Sequence, residues 1–407
     1  MSGALAREVD VVVVGASLAA AAAAKRLTDA GLEAVVLERK KLPRHKVCSG
    51  ILAPRGHRFL IENFGPLPRE ILHEPTACRG VSFHFPRAPS ISMDFDGGPT
   101  AHLHRRYADH WAIQRSGAEV LDGTTVVGVV DDGSRVTVNA RRDGEALDFR
   151  ARYVIGADGP VSVVVRSVYP EYRKSIPWFW VGQKFHEIES CPLDPEYFHF
   201  WFHPDLGHYT WSHARDGRQI VGVGFEQGGN FDAAHARVAA YLDERHGVRL
   251  RPAAASEGSP ENFGPSLVNR YVFGRGNVLV TGQAAGFLNM MAEGMSCALH
   301  SGAIAGESVV EAGLRGRPVQ EVYRLMVASE VRRCTDQWNP IKIAFERPHE
   351  ADFRASLRRL RTPDQMRLLL DVWSFLRLYG RFGWGGQMLA QAGYRLFRDG
   401  YDPRRWL

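Results

Sequence analysis

A cysteine, two aromatic residues and a histidine, set among three glycine turns, are the residues whose types and spacing suit chemistry on a bound cofactor. The glycine turns decide what is bound. The first is Val11-Val-Val-Val-Gly15-Ala-Ser17-Leu18-Ala19-Ala20, answered 23 residues after Gly15 by Glu38 and then Arg39. A β-branched run that ends in a glycine turn and enters a helix aims free amide donors at a pyrophosphate, and an acid about 20 positions on accepts from ribose hydroxyls. The fingerprint reads GxSxxA: Ala20 still allows close helix–strand packing, and Ser17 is small enough for backbone approach to a phosphate. The second turn is Tyr153-Val-Ile-Gly-Ala-Asp158-Gly159. The third is Val278-Leu-Val-Thr-Gly282-Gln283-Ala-Ala-Gly286, which runs on to Glu293-Gly294-Met295. The first turn alone specifies a dinucleotide. All three in this order specify FAD.

Cys48 is the next candidate. A thiol beside a flavin either donates a proton or shapes the pocket, and Lys46 and His45 stand close enough in sequence to activate it. From Trp178 to Phe225 aromatic and polar residues alternate as in a sheet. At period two, Tyr209 and Trp211 share one face with His213, so these three are expected on the substrate side. The histidines between them (His199, His203, His208, His213) are spaced by fours and fives, which builds no metal site in a strand.

The elements that must position these residues follow from the motif order. Turns near residues 15, 158 and 282 converge on one cofactor only if the FAD-binding domain is discontinuous. The expected architecture is α/β: a Rossmann-like FAD-binding domain over 1–64, 105–170 and 265–316, an inserted antiparallel β-sheet substrate domain over 65–104 and 171–264, and a helical C-terminal region over 317–407. The chain has 407 residues, 45% apolar and 24% charged, with net charge +6. That balance is ordinary for a soluble enzyme and does not demand a nucleic-acid partner. No apolar run reaches the ~18 residues of a membrane span, and the first residues lack a signal-peptide core, so a cytoplasmic location is expected. Five dispersed cysteines offer neither a disulfide nor a metal framework. In the tail, Leu369, Val372, Trp373, Leu376 and Tyr379 follow helical spacing. That face is expected to pack on the FAD-binding domain, in preference to a partner chain or a membrane surface.

From about Val9 to Glu307 the chain resembles the FAD-dependent geranylgeranyl-reductase-like family. The wider superfamily also holds aromatic hydroxylases, lycopene cyclases and flavin halogenases. Pro43-Arg-His-Lys46-Val-Cys48-Ser49-Gly50 resembles that family's P-x-x-K-x-C-G-G segment, which lies against the flavin ring. Arg105-Arg-Tyr-Ala-Asp109 resembles its R-x-x-F-D helix start, whose arginine contacts the cofactor. Gly207-His-Tyr209-Thr-Trp211 resembles its G-Y-x-W strand, with His208 inserted. The resemblance implies a reductase or dehydrogenase acting on a C=C bond of a hydrophobic isoprenoid or secondary metabolite. NAD(P)H, a partner reductase or a ferredoxin would then supply electrons. The alternatives are an FAD-dependent monooxygenase on an aromatic or polyketide-like substrate and a cofactor-poor binding protein. Halogenation is disfavoured, because Arg79-Gly-Val-Ser-Phe83 lacks the halogenase lysine and Tyr209-Thr-Trp211-Ser-His213-Ala does not match W-x-W-x-I-P. Gln283 stands where the family's aspartate accepts from a ribityl hydroxyl, and the loop 289–293 is shortened. Met295 opens a helix whose positive end would face the flavin's pyrimidine edge.

Overall fold

The computed structural model describes residues 6–85, 88–95, 97–176, 178–201, 203, 206, 209–226, 228–261, 270–289 and 292–346. Strand β1 (Arg7–Val14), helix α1 (Leu18–Asp29) and β2 (Ala34–Glu38) open the chain as a β–α–β unit, with β1 and β2 parallel. Strand β3 (Ile51–Leu52) leads to α2 (Pro54–Phe64), which starts at Pro54, where the ring's fixed φ suits a first helical turn. Next come β4 (Gly80–Phe85), β5 (Ala88–Asp94) and β6 (Ala101–His102), which pairs with β3, then α3 (Arg105–Gln114) and β7 (Glu119–Asp122). A meander of β8 (Thr124–Asp131), β9 (Val136–Arg142), β10 (Glu145–Ala146) and β11 (Phe149–Gly156) precedes the short α4 (Val163–Val168). Strands β12 (Phe179–Ser190), β13 (Tyr197–Trp201), β14 (Tyr209–Arg215) and β15 (Arg218–Glu226) are followed by α5 (Phe231–His246) and β16 (Arg249–Glu261). The last elements are β17 (Gly274–Arg275), β18 (Val278–Val280), α6 (Gly282–Ala285), α7 (Met295–Arg315) and α8 (Val319–Glu346).

Two sheets divide the strands. In the first, β7, β2, β1 and β11 run parallel, and β18 joins β11 in parallel beyond the stretch that β9 occupies. The register aligns Val14 with Gly156 and Gly156 with Val280. The chain therefore leaves all three strands at one carboxyl edge, where open α/β sheets bind ligands. Gly15, Asp158 and Gly282 lie within three residues of that line. The second sheet runs β16-β12-β15-β14-β13-β4-β5 and is antiparallel except where β13 lies parallel to β4.

Every residue of β13 is buried, although aromatic and polar residues alternate along it. The cause is cover on both faces. Phe198 and Phe200 pack with Val81, Phe83 and Trp211 on one side, while Trp201 packs with Val221, Val238 and Leu242 under α5 on the other. Trp211 lies across Gly222, where a Cβ would collide with its indole. Among the described residues no helix is long and apolar enough to cross a membrane. The expected helix around Trp373 lies outside the described residues.

Helix α7 reaches the carboxyl edge by pressing on α1. A Cβ at Gly302 would collide with the Ala19 carbonyl, and one at Gly306 with the Ala23 carbonyl. This close contact of small residues sets Gly294 and Met295 beside Leu18 and Ala19. Gly302→Ala or Gly306→Ala should thus cost about 1–3 kcal/mol in denaturant unfolding, since backbone must move to make room. Gly313→Ala, in the same helix with open space around it, should be neutral or stabilising by ~0.5–1 kcal/mol.

Candidate functional site

At the carboxyl edge, Gly15 has φ +93°, and a Cβ there would stand 2.8 Å from the Ala157 carbonyl. Ser17 caps α1: its hydroxyl donates to the Ala157 carbonyl at 2.9 Å and accepts from the Ala20 amide at 3.3 Å. A serine in place of the usual second glycine thus ties the first turn to the second. The Leu18 and Ala19 amides in the first turn lack partners within the helix and face outward. Gly159 (φ +81°), Gly282 (φ +61°) and Gly286 (φ +93°) make the remaining turns, with Gly286 closing α6 behind the edge.

Two cavities open there. The first, about 540 Å³, is lined by Gly15, Glu38, Arg39, Arg44, Asp158 and Gly159. The second, about 140 Å³, is lined by Ser17, Leu18, Ala19, Cys48, Ser49, Arg105, Trp211, Gly282, Gln283, Gly294 and Met295. Asp158 spends one carboxylate oxygen on the amides of Val163 (2.7 Å) and Val164 (3.4 Å), at the start of α4. Its other oxygen is buried without a partner. Burial holds this carboxyl above its ordinary range, against the hydrogen bonds that favour the charged form. An orphaned buried acceptor at the mouth of a glycine cradle fits a polar ligand such as FAD.

A buried chain of alternating charge fixes the loop between β2 and β3. Glu38 accepts from the amides of Ala16 and Lys40, both at 3.0 Å, and from Arg44 Nε at 2.9 Å. Arg44 Nη1 reaches Asp109 at 3.3 Å, and Arg105 grips Asp109 at 2.8 and 3.0 Å. Burial works against the Asp109 carboxylate, yet Arg105 and Arg44 hold it below its usual range. Gly50 follows the loop with φ +93°, packed where a Cβ would stand 2.7 Å from the Leu103 carbonyl.

The Cys48 sulfur accepts from the Gly50 amide at 3.4 Å, and the thiol is close enough to the Arg105 guanidinium to help raise the guanidinium's pKa. Two residues of the second sheet clamp the Cys48 carbonyl: Arg215 at 2.9 Å and Gln183 at 3.3 Å. Gln183 also donates to Glu257, whose other oxygen is 2.8 Å from His45. His45, named from sequence as a group that could activate the thiol, is thus paired with Glu257. Lys46 is half-buried next to it, and desolvation, then Arg105, lower its pKa.

One site expectation changes, and another falls outside the described residues. His213 shares the Trp211 face of β14 but lines neither cavity. It is buried under the Cys48–Gly50 segment, stacked on Phe198 at 4.8 Å and edge-on to His102 at 5.5 Å. Burial drives its pKa well down, so it has no proton to give near neutrality. Tyr209 opposes Gly224 in β14, but its side chain, like Gly207 and His208, lies outside the described residues. At Gln283 a carboxylate does arrive, but from another strand: the amide donates to Glu261 at the end of β16. Burial raises the Glu261 pKa, opposed by Lys46. Glu293 accepts from the Ser296 amide at 2.8 Å at the start of α7, and burial pushes its carboxyl up to about 7.

Arg44, Gln183, Arg215 and Glu261 border the site and were given no role from the sequence, and Asp109 was named only as part of the Arg105 motif. Only Arg105 and Asp109 carried a local signal, the i,i+4 spacing of an Arg–Asp pair on one helix face. Arg44 comes from the loop after β2, and Gln183, Arg215 and Glu261 come from strands remote in sequence.

The profile of the FAD binding domain family matches residues 8–300. Protein CbrA of Escherichia coli O9:H4 is 26% identical over 310 residues, covering 72% of this chain and 80% of that protein. In three dimensions the chain is similar to a geranylgeranyl bacteriochlorophyll reductase-like protein from Thermoplasma acidophilum (TM-score 0.70, 16% identity, 97% and 98% of the two chains covered). It is likewise similar to CmlS, a flavin-dependent halogenase (TM-score 0.69, 17% identity, 97% and 78% covered). With close to three quarters of its length inside that profile, the chain belongs to the FAD binding domain family and is an FAD-dependent oxidoreductase.

Proposed function

We propose that the chain is a reductase or dehydrogenase acting on a C=C bond of a hydrophobic isoprenoid or secondary metabolite. The observation that carries this reading is the Cys48 thiol, clamped by its backbone in a cavity walled by Trp211, Phe198, Leu288 and Met295. Such walls exclude water and suit an apolar substrate. FAD, when bound, supplies the two-electron redox chemistry. Glu38 and Arg39 would hold its adenosine end, the α1 amides and Asp158 its pyrophosphate side, and Gln283, Gly294 and Met295 its ring end. Cys48 Sγ holds the proton that saturation of the double bond requires. The positive Arg105 guanidinium beside it would stabilise the negative charge that stays on sulfur when that proton departs. Arg79, at the position compared with the halogenase lysine, is exposed, paired with Asp94 at 3.1 Å and absent from the cavity walls. That placement supports no halogenase reading. NAD(P)H, a partner reductase or a ferredoxin would supply the electrons.

Cys48→Ser should retain FAD yet slow anaerobic conversion of a polyene such as geranylgeraniol by ~10²-fold or more, the scale of a lost positioned acid. Product that forms only with matching oxygen consumption, with no anaerobic conversion by the parent, would replace this reading with a monooxygenase. Glu38→Ala should weaken FAD binding by about 1.5–3 kcal/mol, measured by quenching of flavin fluorescence. Because the Ala16 and Lys40 amides and Arg44 lose their acceptor, the FAD-free protein should also unfold at lower denaturant. Gln283→Asp sets a second carboxylate against Glu261. It should therefore lower FAD affinity in the same assay, whereas an eroded site would regain affinity from the restored acid.

A further inference from the structure

Behind the Lys46–Cys48 segment lies a third cavity of about 420 Å³. Lys46, Cys48 and Arg105 line both this cavity and the one at Trp211, so a single stretch of chain divides the two. Its lining holds five basic side chains, Lys46, Arg105, Arg106, Arg215 and Arg218, against two carboxylates, Asp216 and Glu257. Those carboxylates are engaged already: Asp216 is 2.6 Å from His73, and Glu257 bonds His45 and Gln183. Arg105 is neutralised by Asp109. Arg215, largely buried, bonds the Cys48 carbonyl and comes no closer than 4.0 Å to Glu257. Among the described residues, Arg106 and Arg218 have no acidic partner.

Arg106 stands in the first turn of α3, where the helix dipole adds positive potential, and Arg218 opens β15 across the cavity. His73 and His104 stack at 4.5 Å on the wall, and burial holds both rings toward the neutral form, so they add no charge; the Nδ1–H of His73 is donated to Asp216. A single carboxylate would leave most of this positive surplus uncompensated. A phosphate or pyrophosphate matches both the charge and the forked donors of several arginines.

We propose that this cavity binds the phosphate or pyrophosphate group of a ligand whose remaining part extends past Cys48 toward the flavin. The second half of that statement rests on the proposed function, in which the flavin ring, held by Gln283, Gly294 and Met295, meets the substrate in the Trp211 cavity. The phosphate belongs either to a reduced nicotinamide dinucleotide donor or to the substrate itself.

Calorimetric titration of the FAD-loaded protein with inorganic pyrophosphate, at ionic strength held constant with sodium chloride, tests the site directly. The parent should bind one pyrophosphate per chain. The double variant Arg106→Gln with Arg218→Gln should keep its FAD and its melting temperature but bind at least ~10-fold more weakly, as expected for two lost charge-assisted contacts. No binding by the parent, or equal binding by the variant, overturns the proposal. Anaerobic bleaching of flavin absorbance by NADPH then separates the two sources. Inhibition by pyrophosphate in the parent but not in the variant assigns the phosphate to the dinucleotide. Bleaching indifferent to pyrophosphate, in a protein that binds it, assigns the phosphate to the substrate. Neither arm measures product or involves Cys48, so failure here leaves the proposed reaction standing.

Discussion

The buried sequence of charges from Glu38 through Arg44 and Asp109 to Arg105 is the interaction on which the site depends. It joins the end of β2, the loop beyond it and the start of α3, three places with no backbone pairing between them. Each carboxylate faces two donors or more, and each guanidinium is shared or bidentate. That degree of satisfaction is what lets charges persist out of water. Its last member lines the same cavity as Cys48 and is coupled to the thiol electrostatically, so the cofactor edge and the thiol share one field. Removing any one member would strand a buried charge, a cost commonly of about 3–5 kcal/mol.

The loop that this network anchors crosses between the two sheets. Its far end is held through one carbonyl, that of Cys48, by Arg215 and Gln183. The first sheet thus positions the loop through side-chain charge, and the second positions it through hydrogen bonds to backbone. Two such attachments leave the thiol little freedom to move relative to Trp211 on β14. Separation of the ring cavity from the basic cavity behind it is a consequence of the same clamp.

Close packing of small residues performs the corresponding task on the other side. Alanines of α1 against Gly302 and Gly306 of α7 bring two helix starts to the same edge, Ser17–Ala19 and Gly294–Met295. Gln283 and Glu261 meet between those starts and the second sheet, with Lys46 near enough to oppose the raised pKa of Glu261. An uncharged third-turn residue is accordingly not a gap in the site. The carboxylate missing from the motif is present in space, carried by a different strand.

Gly15, Asp158 and Gly282, the order of the three turns and the helix that begins at Met295 were legible in the sequence. So was the α/β class with its antiparallel sheet. The physical reason is locality: a glycine turn between a strand and a helix requires its residues in consecutive positions, whatever packs around it. The partners that finish the site were not legible. Gln183, Arg215 and Glu261 lie in strands whose register is set by sheet pairing over long sequence distances, and nothing in their neighbours marks them. His213 shows the same limit in reverse. Period two correctly placed it on the Trp211 face, but a strand's period assigns a face and not what covers it. Two positions beyond the cavity, the Cys48–Gly50 segment closes over that face. Burial of both faces of β13 has a related cause, because α5 covers the side that an open sheet would give to water. Local backbone chemistry, then, was determined by the sequence alone, while burial, charge pairing and the depth of each side chain were decided by tertiary contact.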